Sequence, residues 1–227
     1  MQKITLTAGP YAAAQNNNIS LSQTGASGAL TLNGTTAGVL DLPRRVLFTN
    51  SGDNSSVSFV VTGTTWGNSP VTETIAGNAS TAYTNTDFLT VSAIAITGAS
   101  AAPNALTVGT NTVAGTAWAR LDSWANAASV NFQTKVTGTI NYDIQCTLDD
   151  PNGHNGQGSN VTGPNGVGSV SIAGVVWDST LPGVTGATTG MTINMNFAPV
   201  YVRALINSWT GSGSMTMYVM QQGVVSA

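Results

Sequence analysis

The chain has 227 residues, with six Lys or Arg against nine Asp or Glu and a formal net charge of −3. Charged residues are 7% of it, against roughly 25% in an ordinary soluble domain. Six scattered cations exclude a basic nucleic-acid binder, a hydrophobic content of 41% excludes charge-driven disorder, and no stretch is apolar enough for a helical membrane span.

Alternation of apolar and polar residues, the strand period, dominates the chain. Met1–Thr7 has no basic segment followed by a long apolar run, so no secretory signal is expected and synthesis in a cytoplasm is. In chain order the pattern predicts strands at Ile4–Thr7, Ala29–Leu32, Arg45–Asn50, Val57–Thr62, Leu89–Thr97 and Ala105–Val108. It continues with Val130–Val136, Thr139–Leu148, Val167–Trp177, Met191–Phe197, Val200–Asn207 and Met215–Gln221. The clearest case is Thr139–Leu148, where Ile140, Tyr142, Ile144, Cys146 and Leu148 share one face. Thr137-Gly138 predicts a hairpin turn before it, and Thr210–Gly213 a second turn between the last two strands. No window carries a helical stripe, so the expected fold class is all-β, with antiparallel sandwiches of the jelly-roll kind.

Order and patterning also suggest an internal repeat. The segments 45–61 and 129–148 both read as hairpins, and 88–108 and 200–219 read as their later counterparts. This predicts two tandem β-modules, 1–113 and 114–227, the second with a Gly/Asn-rich insertion near 149–167.

Groups that do chemistry are scarce. The one histidine, His154, lies in a Gly/Asn-rich loop, and the one cysteine, Cys146, shares a face with Ile140 and Tyr142 and reads as a buried, inert thiol. A lone cysteine also rules out a disulfide within the chain. Two Cys/His residues are too few for a standard zinc site. Asp149-Asp150-Pro151-Asn152-Gly153 lacks the spacing and distal Glu of a calcium loop and reads as a turn. No catalytic residue, metal site or cofactor is therefore expected. Few charges and many Ser, Thr and Asn suit extensive neutral contacts between subunits. Trp66, Trp124, Trp209 and Met220 are the candidate contact residues. Exposed tryptophans would alternatively form a platform for carbohydrate.

The stretch Val136-Thr137-Gly138-Thr139-Ile140-Asn141-Tyr142-Asp143-Ile144-Gln145-Cys146-Thr147-Leu148-Asp149-Asp150-Pro151 resembles a "GTxxYxVQxTxDDP" pattern in small virion-associated proteins of tailed bacteriophages. The same proteins continue through a Trp-containing strand, as Val176-Trp177-Asp178 does here, and end in an "RxLxxxxxxGSGSxTxxVxQxG" tail. Arg203-Ala204-Leu205 and Thr210 to Gly223 resemble that tail, so the likeness covers about 130–223, from which Cys146 and the insertion depart. The resemblance implies a non-enzymatic part of the particle, on the capsid exterior. A decoration or cement protein is the first expectation and a tail, neck or fibre component the second. Its implied partners are the major capsid protein and further copies of itself, as a dimer or trimer, with no nucleic acid and no membrane.

Overall fold

A computed structural model describes residues 2–33, 38–66, 68, 70–98, 104–121, 130–148, 177–178, 184–195 and 199–221. The insertion at 149–167, with His154, and Trp124 lie outside the described residues, as does all of the strand expected at Val167–Trp177 except Trp177. Among the described residues the fold is all-β, with antiparallel pairing throughout the strand pairs whose registers follow. Contacts divide the chain into two units, one of Ala14–Val113 and one of Met1–Ala13 with the described residues from Ala114 onward. Met1–Ala13 lies with the residues from Ala114 onward because the first strand pairs with the last.

The first unit contains β2 (Gln15–Thr24), β3 (Gly28–Ala29), β4 (Arg44–Asn50), β5 (Val57–Thr64), β6 (Pro70–Ala76), β7 (Thr81–Tyr83), β8 (Thr90–Gly98) and most of β9 (Ala105–Gly115). One sheet runs β2-β9-β4-β7 and the other β3-β8-β5-β6. Counted along the unit these orders are 1-8-3-6 and 2-7-4-5, the strand order of a jelly roll. Period-2 burial drives it: in β5, Val57, Phe59 and Val61 point inward while Ser58, Val60 and Thr62 point outward. Both sheets contribute to one core, in which Phe48 of β4 stacks on Phe59 of β5 at 4.3 Å between ring centroids.

The segments read as hairpins in this unit are not hairpins. β4 and β5 lie in different sheets, and so do β8 and β9. Alternation reports that a strand is half buried; it does not report which strand lies beside it.

The second unit is built on a long ribbon, β11 (Val130–Thr147) against β14 (Tyr201–Gln221). One half of the ribbon forms a sheet ordered β1-β14-β11-β13, with β1 (Gln2–Ala8) and β13 (Thr192–Met195) outermost. The other half is edged by β10 (Ala119–Arg120), β12 (Trp177–Asp178) and the end of β9. Both turns expected here are instead one irregularity in the ribbon. Thr137 pairs with Ser214 and Thr139 with Thr210, so Gly138 alone faces Gly211, Ser212 and Gly213. Gly138 and Gly211 have φ of 74° and 64°, a region that favours glycine. The turn-forming residues thus mark a bulge between facing strands, where the ribbon changes register without reversing. The jelly-roll strand order does not recur among the described residues of this unit.

Candidate interaction surfaces

Two exposed sheet faces stand out. The first is the outer face of β3-β8-β5-β6. Its cross-strand rows are Ala76–Ser58–Thr97, Thr74–Val60–Ala95–Ala29, Thr72–Thr62–Ala93 and Pro70–Thr64–Thr90. None of these residues is ionisable. Hydroxyls tie the rows together: Thr64 and Thr90 Oγ1 atoms are 2.8 Å apart, and those of Thr62 and Thr72 are 3.3 Å apart. Glu73, the only glutamate, sits on β6 but pairs with inward-facing Val61. Its carboxylate accepts the backbone N–H groups of Asn85 at 2.7 Å and Thr86 at 2.8 Å, which removes its charge from this face.

The second face is the outside of β1-β14-β11-β13. The inward side carries Leu6, Ala8, Met215, Met217, Val219, Val130 and Phe132, all buried. The outward rows are Lys3–Met220–Asn131–Asn194, Thr5–Tyr218–Gln133–Thr192 and Thr7–Thr216–Lys135. Both lysines of the chain are therefore on one face, and its described residues include no carboxylate. Lys3 Nζ lies 4.2 Å, and Lys135 Nζ 5.6 Å, from the centroid of the Tyr218 ring.

Beside Lys135 opens a shallow cleft of about 460 Å³, walled by Gln133, Lys135 and Thr137 on one side and Gly190–Thr192 on the other. A buried network fixes the far wall. Tyr142, with no exposed surface, donates its hydroxyl to the Thr189 carbonyl at 2.9 Å and lies 2.7 Å from Thr134 Oγ1. Thr134 Oγ1 in turn accepts the Met191 N–H at 2.9 Å. Burial raises the Tyr142 pKa, partly offset by the Thr134 hydrogen bond. At Gly190 a Cβ would come within 2.7 Å of the Thr134 carbonyl oxygen, so only glycine lets this wall approach β11 so closely.

The expected contact residues separate sharply. Met220 lies on the lysine face and is 36% exposed. Trp66 is at the β5–β6 turn, 42% exposed. Trp209 is 7% exposed and stacks on Tyr11 at 4.5 Å, so it is a core residue of its unit, and the expectation that it forms a contact surface is corrected. Met215 and Met217 alternate into the core, and Cys146 is buried on the face its alternation implies. Leu148, expected on that same face, is 74% exposed, because it stands just past the end of β11. Lys3, Lys135 and Tyr218 escaped sequence reasoning. The alternation of Tyr218 against buried Met217 and Val219 was the available signal, but the pairing of β1 with β14 is not readable from the chain. Among the described residues no group of three or more His, Cys, Asp or Glu is placed to hold a metal ion.

The two stretches that carry the phage resemblance come together: Thr139–Thr147 pairs with Tyr201–Thr210 along the ribbon. Arg203 is buried there, its Nε donating to Gln145 Oε1 at 2.9 Å and its guanidinium 4.6 Å from the Trp118 ring. Comparison with known proteins finds no matching family model and no matching curated relative.

Proposed function

We propose that the chain is a structural protein of a tailed-bacteriophage particle, a capsid decoration or cement protein that holds shell subunits together and turns over no substrate. The observation that carries this reading is the uncharged outer face of β3-β8-β5-β6. Docking a sheet face buries whatever projects from it, and an unpaired ion so buried costs several kcal/mol. A face of Ser, Thr, Ala and Val carries no such penalty. The phage resemblance of residues 136–151 and 203–223 supports placing the chain in a virion. The jelly-roll order of the first unit suits the same role, since this architecture recurs in capsid proteins.

The size of the face sets how it would work. Four strands about 4.8 Å apart and four rows about 6.7 Å apart give roughly 500 Å². A standard stable interface takes about 800 Å² per partner. One face is therefore a weak contact, and stability comes from many copies and from more than one contact per copy. Self-association about local symmetry axes supplies both. A carbohydrate platform is less well supported, because Trp209 is buried.

The test is to locate and count the chain in intact particles by cryo-EM. A copy number matching the shell symmetry is expected. A few copies at one vertex would move it to the neck or tail, and its absence from particles would refute the reading.

A further inference from the structure

We propose that the outer face of β1-β14-β11-β13 docks a carboxylate-rich protein surface, with Lys3 and Lys135 as paired anchors on either side of Tyr218. The inference rests on the cohesive reading above for its partner's being a protein, and on the face itself for the chemistry.

The chain is net negative, yet this face gathers both its lysines and, among the described residues, no acid. The two ring distances put the ammonium groups within about 10 Å of each other, about one Debye length at 0.1 M salt. Each therefore raises the potential at the other, and an anion placed between them relieves that repulsion. The lysines are exposed, so they reach a partner without rearrangement. Asn131, Gln133, Thr5 and Thr216 surround them with neutral hydrogen-bonding groups that can complete the solvation of a carboxylate.

The same geometry argues against a sugar. A saccharide needs the open face of an aromatic ring, and Lys3 already lies over that of Tyr218. The cleft beside Lys135 gives an acidic side chain of the partner a place to enter, against a wall held by the Tyr142–Thr134–Met191 hydrogen bonds. The uncharged face of the jelly-roll unit cannot discriminate by charge; this one can. Electrostatic contacts of this kind set orientation and encounter rate more than affinity.

The experiment is a titration of the isotope-labelled full chain with a decaglutamate peptide, followed by backbone NMR. Saturable shifts are expected at Lys3, Thr5, Asn131, Gln133, Lys135 and Tyr218, fading as salt is raised. Neutralising both lysines, Lys3→Gln with Lys135→Gln, should weaken binding about tenfold, as expected for two solvent-exposed ion pairs. The reversed variant, Lys3→Glu with Lys135→Glu, should lose decaglutamate and bind decalysine on the same face. Shifts centred elsewhere, such as at exposed Arg120, or a neutralised variant that binds like the parent, would overturn the proposal. The outcome is separable from that of the cohesive reading. Absence of the chain from particles leaves these shifts in place, whereas parent-like binding by the neutralised variant removes the docking face whatever the particle contains.

Discussion

A single lysine at the middle of the uncharged face separates folding from assembly. Val60 lies on β5 in the row Thr74–Val60–Ala95–Ala29, half-buried, pointing away from the core. In the free chain Val60→Lys exchanges a β-branched residue for a poor strand former, a cost of no more than ~1 kcal/mol. The new ammonium extends into water and strands no partner. In a docked face the same ammonium is buried without a counter-ion, at a cost of several kcal/mol. A loss of about 3 kcal/mol in contact energy is more than a hundredfold in affinity. The measurement has two arms. Thermal unfolding of the purified variant should lie close to that of the parent, and its occupancy on particles, or its self-association by sedimentation, should collapse. Val39→Lys is the control, since Val39 is 63% exposed and lies outside both sheets. If Val60→Lys assembles at parental concentrations, the uncharged face is not the contact and the argument from its neutrality fails.

Three further outcomes follow from the interior. Glu73→Gln replaces an acceptor of two backbone N–H groups by one whose amide must face a donor, and should lower unfolding free energy by about 2 kcal/mol in urea titration. Phe59→Ala should cost about 3–5 kcal/mol, and a double-mutant cycle with Phe48→Ala should return a coupling of about 1 kcal/mol for the stacked pair; additivity would mean the rings do not support each other. Tyr142→Phe should cost about 1–3 kcal/mol in the same urea titration. In the parent, the raised Tyr142 pKa means the folded state holds its proton longer than the unfolded chain. The stability so gained is complete below the ordinary tyrosine value of 10.0 and is lost as pH climbs from there through the folded-state value. The Phe variant should lack that portion of the alkaline decline.

Strand identity was largely legible; strand partnership was not. Val57–Thr62 and Leu89–Thr97 show a period-2 pattern because each covers a core on one side only. β6 was missed because Glu73 occupies an inward position, spent on the backbone of the β7–β8 connection, and so breaks the apolar alternation. β2 was missed for a different reason: it opens on Gln15-Asn16-Asn17-Asn18, which reads as loop, and its register against β9 shifts twice. The one bulge that Gly138 and Gly211 share looks like two chain reversals because a left-handed glycine serves both purposes. The lysine face was invisible for a topological reason. Lys3 and Lys135 are 132 positions apart in sequence, and only the pairing of β14 with both β1 and β11 brings them to one ring.

The scarcity of charge also has a spatial logic. Arg44, 1% exposed, donates to Asp41 at 2.6 Å, and its backbone exchanges hydrogen bonds with Phe88. Arg45 pairs with Asp87 at 3.6 Å, and Glu73 holds Asn85 and Thr86. Most of the jelly-roll unit's charge is thus spent inside it, bracing the segment Thr84–Phe88 that leads from one sheet to the other. In the ribbon unit Arg203 is buried against Gln145 and Trp118. Among the described residues the two sheet faces differ in charge: an ion-free face on one unit and a face of two lysines on the other. These respond oppositely to salt. Screening weakens contacts of the lysine face within a few tenths molar, while excluded salts such as sulfate strengthen burial of the neutral one. Detachment from particles at low ionic strength would therefore implicate the neutral face as the weaker hold, and detachment at high sodium chloride the lysine face.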